Sequence, residues 1–274
     1  MVFISREVPM LSLRDTMIES TLAGGHVLRE HFGHVTGVRQ KEDHSSVVTA
    51  ADFASEAAIV AVIERAYPDH NLIAEERGFV DRGAGFTWVI DPLDGTSNFA
   101  AGLPWFGVLV ALLEGAVPVL GAMYLPCDDT LYVGEAGQGV TRNGTPVRVT
   151  AETDPRNVLC AYGMDASADI TKTRREAETL TRLVNGVRNV RTTNSLLDFC
   201  YTVDGRLGAV VNQNTKIWDI APAWLLLREA GGVLTDTSGA PLHFALAADT
   251  YARSYAVIGA SLALHPCILE IINL

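Results

Sequence analysis

The 274-residue sequence predicts a mixed α and β protein, an α+β half over residues 9–150 followed by an α/β half over 151–274. Three observations predict it. Short β-rich runs separated by Gly, Pro or Asp crowd the centre of the first half. Near residue 150 the pattern changes to alternating strand-like and helix-like segments. Hydrophobic residues make up 48% and charged residues 19%, which supplies a large core and is too little charge for a disordered chain.

Residues 9–32 read as a helix, with Leu11, Met17, Ile18 and Leu22 at an imperfect helical period. Gly33 to Val48 mixes Gly, His and charge and reads as loop or edge strand. A second helix is expected to begin at Thr49, a good N-cap, with Asp52 three residues on as its capping acid. Phe53, Ala57, Val60 and Ile63 then share a face, and Pro68 ends the helix. Asn71–Ala74 is a short strand. Thr87–Ile90, Phe106–Leu113, Val117–Tyr124 and Thr130–Val133 follow as strands. Asn143-Gly144 signals a type I′ hairpin before Val147–Val149.

In the second half, strands are expected at Val158–Tyr162, Asn189–Thr192, Gly208–Val211, Val233–Leu234 and Tyr255–Ile258. Helices are expected at 172–185, 194–203, 220–230 and 261–272, the third closed by Gly231-Gly232.

The formal net charge of −11 argues against nucleic acid and anionic membrane surfaces as partners, since both bind through neutralised phosphates. A metal cluster inverts the local field, so a phosphorylated substrate stays in play. Cys127, Cys160, Cys200 and Cys267 lie far apart with no C-x-x-C pair, so they read as reduced, structural thiols. The seven histidines show no metal spacing. No run approaches the ~20 apolar residues of a membrane span. Met1 to Met10 carries Arg6 and Glu7 and lacks the apolar stretch of a signal peptide. The expected location is the cytoplasm.

The most informative segment is Trp88-Val89-Ile90-Asp91-Pro92-Leu93-Asp94-Gly95-Thr96-Ser97-Asn98-Phe99. An apolar strand runs into two aspartates three apart, and Pro92 holds Asp91 in extended geometry. Asp91 and Asp94 then point to one spot with the Leu93 carbonyl between them, an oxygen set that suits a hard divalent cation such as magnesium. Gly95-Thr96-Ser97 opens a helical turn whose N–H groups suit a phosphate. The D-P-x-D-G core alone reads equally well as a strand, a turn and a capped helix. Glu75-Glu76 alone reads as an exposed pair, and Asp219 alone as a helix cap.

Together these segments resemble the inositol monophosphatase family, within the lithium-sensitive phosphatase superfamily. Val48-Thr49-Ala50-Ala51-Asp52, Leu72-Ile73-Ala74-Glu75-Glu76 and Trp218-Asp219-Ile220-Ala221-Pro222-Ala223, running on to Glu229-Ala230-Gly231-Gly232, match its motifs in order across nearly the whole chain. The resemblance implies a five-layered αβαβα sandwich of the sugar-phosphatase type, a homodimer, and hydrolysis of a small phosphorylated metabolite by metal-activated water. It implies that Glu75, Asp91 and the Leu93 carbonyl hold one magnesium ion, and that Asp91, Asp94 and Asp219 hold a second. It further implies that Glu75 touches a third, weaker ion through water. By the same resemblance Glu76 steers Glu75 or a water, Thr96 and Asp52 orient and deprotonate the attacking water, and Gly95, Thr96 and Ser97 bind the phosphate.

The departures from the family pattern concern substrate choice. Asn212 stands where inositol-preferring members carry an acid, and Asn194 and Ser195 replace a smaller stretch. Ser46 stands where many members have an acid for a third metal. Inositol phosphates are the first expectation. Fructose 1,6-bisphosphate, histidinol phosphate and 3′,5′-bisphosphate nucleotides are alternatives on the same scaffold. Some bacterial relatives serve instead as accessory binders of the transcription machinery.

Overall fold

Two large β-sheets, beside a separate two-stranded one, separate three apolar cores in the computed structural model, which describes residues 11–34, 37–40 and 47–274. The helices are α1 (Leu13–His31), α2 (Ala50–Ala66), α3 (Thr96–Ala100), α4 (Ile170–Gly186), α5 (Leu197–Val203), α6 (Ile217–Glu229) and α7 (His265–Asn273). The first ten strands are β1 (Arg39–Gln40), β2 (Val47–Val48), β3 (Asn71–Ala74), β4 (Gly78–Val80), β5 (Phe86–Asp94), β6 (Gly107–Glu114), β7 (Val117–Leu125), β8 (Thr130–Glu135), β9 (Gly139–Arg142) and β10 (Thr145–Pro146). The second half adds β11 (Leu159–Gly163), β12 (Asn189–Arg191), β13 (Ala209–Thr215), β14 (Gly232–Asp236) and β15 (Tyr255–Ser261).

The larger sheet has eight strands in the order β10-β9-β8-β7-β6-β5-β3-β4, and the smaller has five in the order β12-β11-β13-β15-β14. Helices α1 and α2 cover one face of the larger sheet, with Met17, Ile59, Ile63, Trp88 and Val110 in the core between. Helices α5 and α6 lie between the sheets, where Val89, Leu109, Leu225, Leu226 and Val210 meet. Helices α4 and α7 close the far side of the smaller sheet over Cys160, Val211 and Ile268. This is the predicted αβαβα sandwich. Each sheet is apolar on both faces because each is covered on both, so its central strands read as continuous apolar runs. Among the described residues no helix is long and apolar enough to cross a membrane.

Most boundaries fall within a few residues of expectation, and the differences have local causes. Helix α1 starts at Leu13, where Ser12 Oγ accepts the Asp15 N–H at 3.1 Å. Residues 9–10, at the start of the expected helix, and Ser46 lie outside the described residues. The predicted inner face of α2 is wrong in its first turns. Phe53 is 52% exposed and Ala57 is exposed, while Asp52, Ser55, Glu56, Ile59 and Val60 are buried. The helix turns polar residues inward because they serve the site described below. The Asn143-Gly144 turn has the two positive φ angles, 47° and 77°, of a type I′ hairpin. The strand it opens is only Thr145–Pro146; Val149 instead donates its N–H to the Ala230 carbonyl. The short strands β4 and β9 carry too little periodicity to be seen in the sequence.

Helix α6 begins three residues earlier than expected, at Ile217, and contains Pro222. Its start is set by Asp219, whose Oδ2 accepts the Lys216 N–H at 2.7 Å.

Candidate active site

Strands β3 and β5 run parallel, with Ala74 beside Ile90, so Glu75 and Asp91 leave the ends of neighbouring strands side by side. The Glu75 N–H donates to the Ile90 carbonyl at 3.2 Å. Strand β5 does not stop at Pro92. It continues against β6 through a register shift in which Asp91 pairs with Leu109 and Asp94 with Gly107. In a regular strand, residues three apart face opposite sides. The one extra residue of this bulge restores parity and turns both carboxylates to one side. Asp91 Oδ1 also accepts the Leu93 N–H at 3.0 Å, which tightens the turn.

Asp219 arrives from the first turn of α6, held by the capping contact with Lys216. Asp94 accepts a short hydrogen bond from the Leu196 N–H just before α5. Elements of both halves therefore meet here. One oxygen of each of Asp91, Asp94 and Asp219 lies within 4.8 Å of the others. Burial, then the Glu75, Asp94 and Asp219 carboxylates, push Asp91 well above the usual carboxylate range. Asp94 is pushed the same way by burial and Asp219, and burial raises Asp219 to about 6. Converging, buried all-oxygen donors of this kind suit a hard divalent cation, whose charge would offset their desolvation and the repulsion on Asp91 and Asp94.

A cavity of about 430 Å³ opens over the cluster, with Glu75, Leu93, Gly95, Thr96 and Lys216 among its lining residues. Asp52 is fully buried behind it. Its Oδ2 accepts the Thr49 N–H and hydroxyl, both at 2.7 Å, in the predicted capping arrangement. The Thr96 Oγ1 lies 3.2 Å from Asp52 Oδ1 and 2.9 Å from the Leu93 carbonyl, so its one proton serves either acceptor. Gly95 has φ +83°, and a Cβ there would sit 2.5 Å from the Trp105 carbonyl oxygen, so only glycine fits the turn. Glu76 and Ser97 do not line this cavity.

The three residues singled out for specificity line a neighbouring cavity of about 140 Å³: Asn194, Ser195 and Asn212. Several residues of the site escaped the sequence analysis. Glu56 Oε2 accepts the N–H groups of Glu76 and Arg77 at 2.9 and 3.2 Å and so fixes the turn that carries Glu75. Ser55 donates to the Pro92 carbonyl at 2.7 Å. Tyr251, Asn214 and Lys216 line the main cavity, and Asp165 and Asn214 the smaller one. Asn214 and Lys216 neighbour the Trp218-Asp219 motif, a signal that pointed toward them. Tyr251 and Asp165 stand in no recognisable motif.

The layered sandwich is shared with known structures. The chain superposes on the extragenic suppressor protein SuhB of Bartonella henselae with a TM-score of 0.84 at 26% identity, over 94% of this chain and 97% of that one. A model of the inositol monophosphatase family matches residues 11–273, and the chain belongs to that family. It is 35% identical to the fructose-1,6-bisphosphatase/inositol-1-monophosphatase of Aquifex aeolicus, over 79% of this chain and 82% of the relative. It is 30% identical to the Nus factor SuhB of Haemophilus influenzae, over 92% and 91% of the two chains.

Proposed function

We propose that the protein is a magnesium-dependent phosphomonoesterase acting on small phosphate monoesters, with inositol phosphates as the first substrates to try. The convergence of Asp91, Asp94 and Asp219 on one spot beside Glu75 carries this reading. These four side chains and the Leu93 carbonyl would hold two magnesium ions, and Glu75 would also touch a third through water. When bound, the ions supply positive charge for the phosphate oxygens and lower the pKa of water.

The chain's own groups do the rest. Gly95 and Thr96 hold the phosphate through backbone N–H groups, with Ser97 next in the turn. Thr96, donating to Asp52, turns a lone pair toward the attacking water and orients it. Asp52 takes up the proton released through Thr96. Glu76 supports the position of Glu75. Asn194, Ser195 and Asn212 meet the alcohol part of the substrate.

Purified protein with magnesium, offered a panel of phosphate monoesters, should release phosphate. Asp91→Asn should abolish release while circular dichroism stays that of the folded protein. An active Asp91→Asn protein would remove the case. Fructose 1,6-bisphosphate, histidinol phosphate and 3′,5′-bisphosphate nucleotides belong in the panel as competing substrates.

The likeness to a Nus factor favours a second reading, an accessory binder of the transcription machinery. The complete carboxylate set favours catalysis, and the −11 charge disfavours direct contact with RNA. Co-purification with polymerase factors, scored against phosphate release, separates the two. We further propose a cytoplasmic homodimer, which light scattering on the purified chain tests.

A further inference from the structure

Resting on the phosphatase reading, we propose that Asp165 determines specificity: its carboxylate accepts hydrogen bonds from the hydroxyls of a neutral, polyhydroxylated alcohol whose phosphate sits at the carboxylate cluster.

The smaller cavity shares Asp94, Asn214 and Asp219 with the main one, so a group bound there continues directly from a phosphate bound at the cluster. Among the described residues its lining is polar apart from Phe199 and includes no Lys, Arg or His. Lys216, the cation of the main cavity, donates to the Ala252 carbonyl at 2.8 Å and to Ser254 Oγ at 3.0 Å. A second phosphate in the smaller cavity would lie against the Asp165 carboxylate with no described Lys or Arg side chain in the lining to receive it, a costly arrangement. A neutral polyol meets no such cost.

The donors and acceptors also fit hydroxyl groups. Asn194 Nδ2 donates to Asp165 Oδ1 at 2.8 Å, and Asn214 Nδ2 lies 3.4 Å from Oδ2. A carboxylate offers about four acceptor positions, so these two amides hold Asp165 in place and leave capacity for two more donors. Asn212 accepts the Asn214 N–H on its Oδ1 at 3.1 Å, which orients its amide N–H group as a donor. A hydroxyl both donates and accepts, and this pocket offers it both partners. Gly163 makes the pocket: a Cβ there would lie 2.7 Å from Asn212 Nδ2 and 2.9 Å from Asn194 Oδ1, forcing the two amides aside.

The test compares kcat/KM of the magnesium-loaded protein for myo-inositol 1-phosphate, a deoxy analogue of it, fructose 1,6-bisphosphate and phenyl phosphate. The wild-type protein should favour the inositol ester over phenyl phosphate and over the bisphosphate, and should lose rate with the deoxy analogue. Asp165→Asn should reduce the preference for inositol ester over phenyl phosphate by about 10- to 100-fold, mainly through KM, and should erase the penalty for the missing hydroxyl. Gly163→Ala, which leaves Asp165 intact but displaces the amides, should reduce the same preference and provides the test if Asp165→Asn does not fold. A wild-type preference for the bisphosphate, or an undiminished deoxy penalty in the folded variant, would overturn the proposal while leaving the phosphatase reading standing. A wild-type protein inert toward every ester would overturn both.

Discussion

The Thr96 hydroxyl lies 3.2 Å from the buried Oδ1 of Asp52, linking the turn after β5 to the first turn of α2 across 44 residues of sequence. Asp52 is fixed there because Thr49 occupies its other oxygen twice. A carboxylate used only as a helix cap would need no contact with the cavity wall. This one has it, and the pair has the reach of a proton relay.

Removing either end of that relay should therefore lower kcat rather than metal affinity. Thr96→Val and Asp52→Asn are each expected to reduce kcat by about 10²- to 10⁴-fold. Magnesium binding by calorimetry should change much less. A kcat within a factor of about three of wild type in Thr96→Val would contradict the relay.

The metal-free protein should become less stable as pH rises. Asp219 titrates at about 6 in the folded chain against an ordinary value of 3.8, and Asp91 and Asp94 are also raised. The folded state then holds more protons than the unfolded one, so this contribution is greatest below the ordinary value and is lost as pH climbs through about 6. Thermal melts in chelator should show Tm falling across this window, and saturating magnesium should shrink the fall. Asp198, raised to about 6 by burial, adds a slope of the same sign that magnesium leaves in place. A metal-free Tm that climbs over the same window would contradict the assignment.

Glu56 positions Glu75 through the backbone. Its carboxylate receives two N–H groups of the following turn, so Glu56→Ala leaves both without their acceptor. The expected result is a magnesium affinity about 10- to 100-fold weaker with the fold intact, read by calorimetry. Unchanged affinity would mean that the turn holds its shape without Glu56.

Gly95→Ala should damage the site through the backbone. The positive φ and the Trp105 carbonyl 2.5 Å from the added Cβ leave no relaxed position for the new methyl. A stability loss of about 1–3 kcal/mol is expected, together with a large loss of activity. Denaturant melts measure the first and phosphate release the second.

Much of the molecule was legible without coordinates. The central strands of the larger sheet, the Thr49 cap, the Asn143-Gly144 turn and the Gly231 helix stop are written in local chemistry: apolar runs, side-chain acceptors and residues that tolerate positive φ. The carboxylates of the cluster stand in short motifs whose order is itself the signal. The inner face of α2 was misread because apolar periodicity assumes that apolar side chains face inward. Here Asp52, Ser55 and Glu56 face inward to hold Thr96, Pro92 and the Glu75 turn.

By itself the sequence determined the order of the longer elements and the residue types able to bind a hard cation, because hydrogen-bonding, capping and hydropathy act over a few residues. Only the tertiary structure decided which acids converge and what surrounds them. The bulge at Pro92 that turns Asp91 and Asp94 to one side depends on pairing with β6. The meeting of Asp165 with Asn194 and Asn214 depends on contacts between segments 29 and 49 residues apart. Such contacts form only when distant segments pack, so no local pattern in the chain announces them.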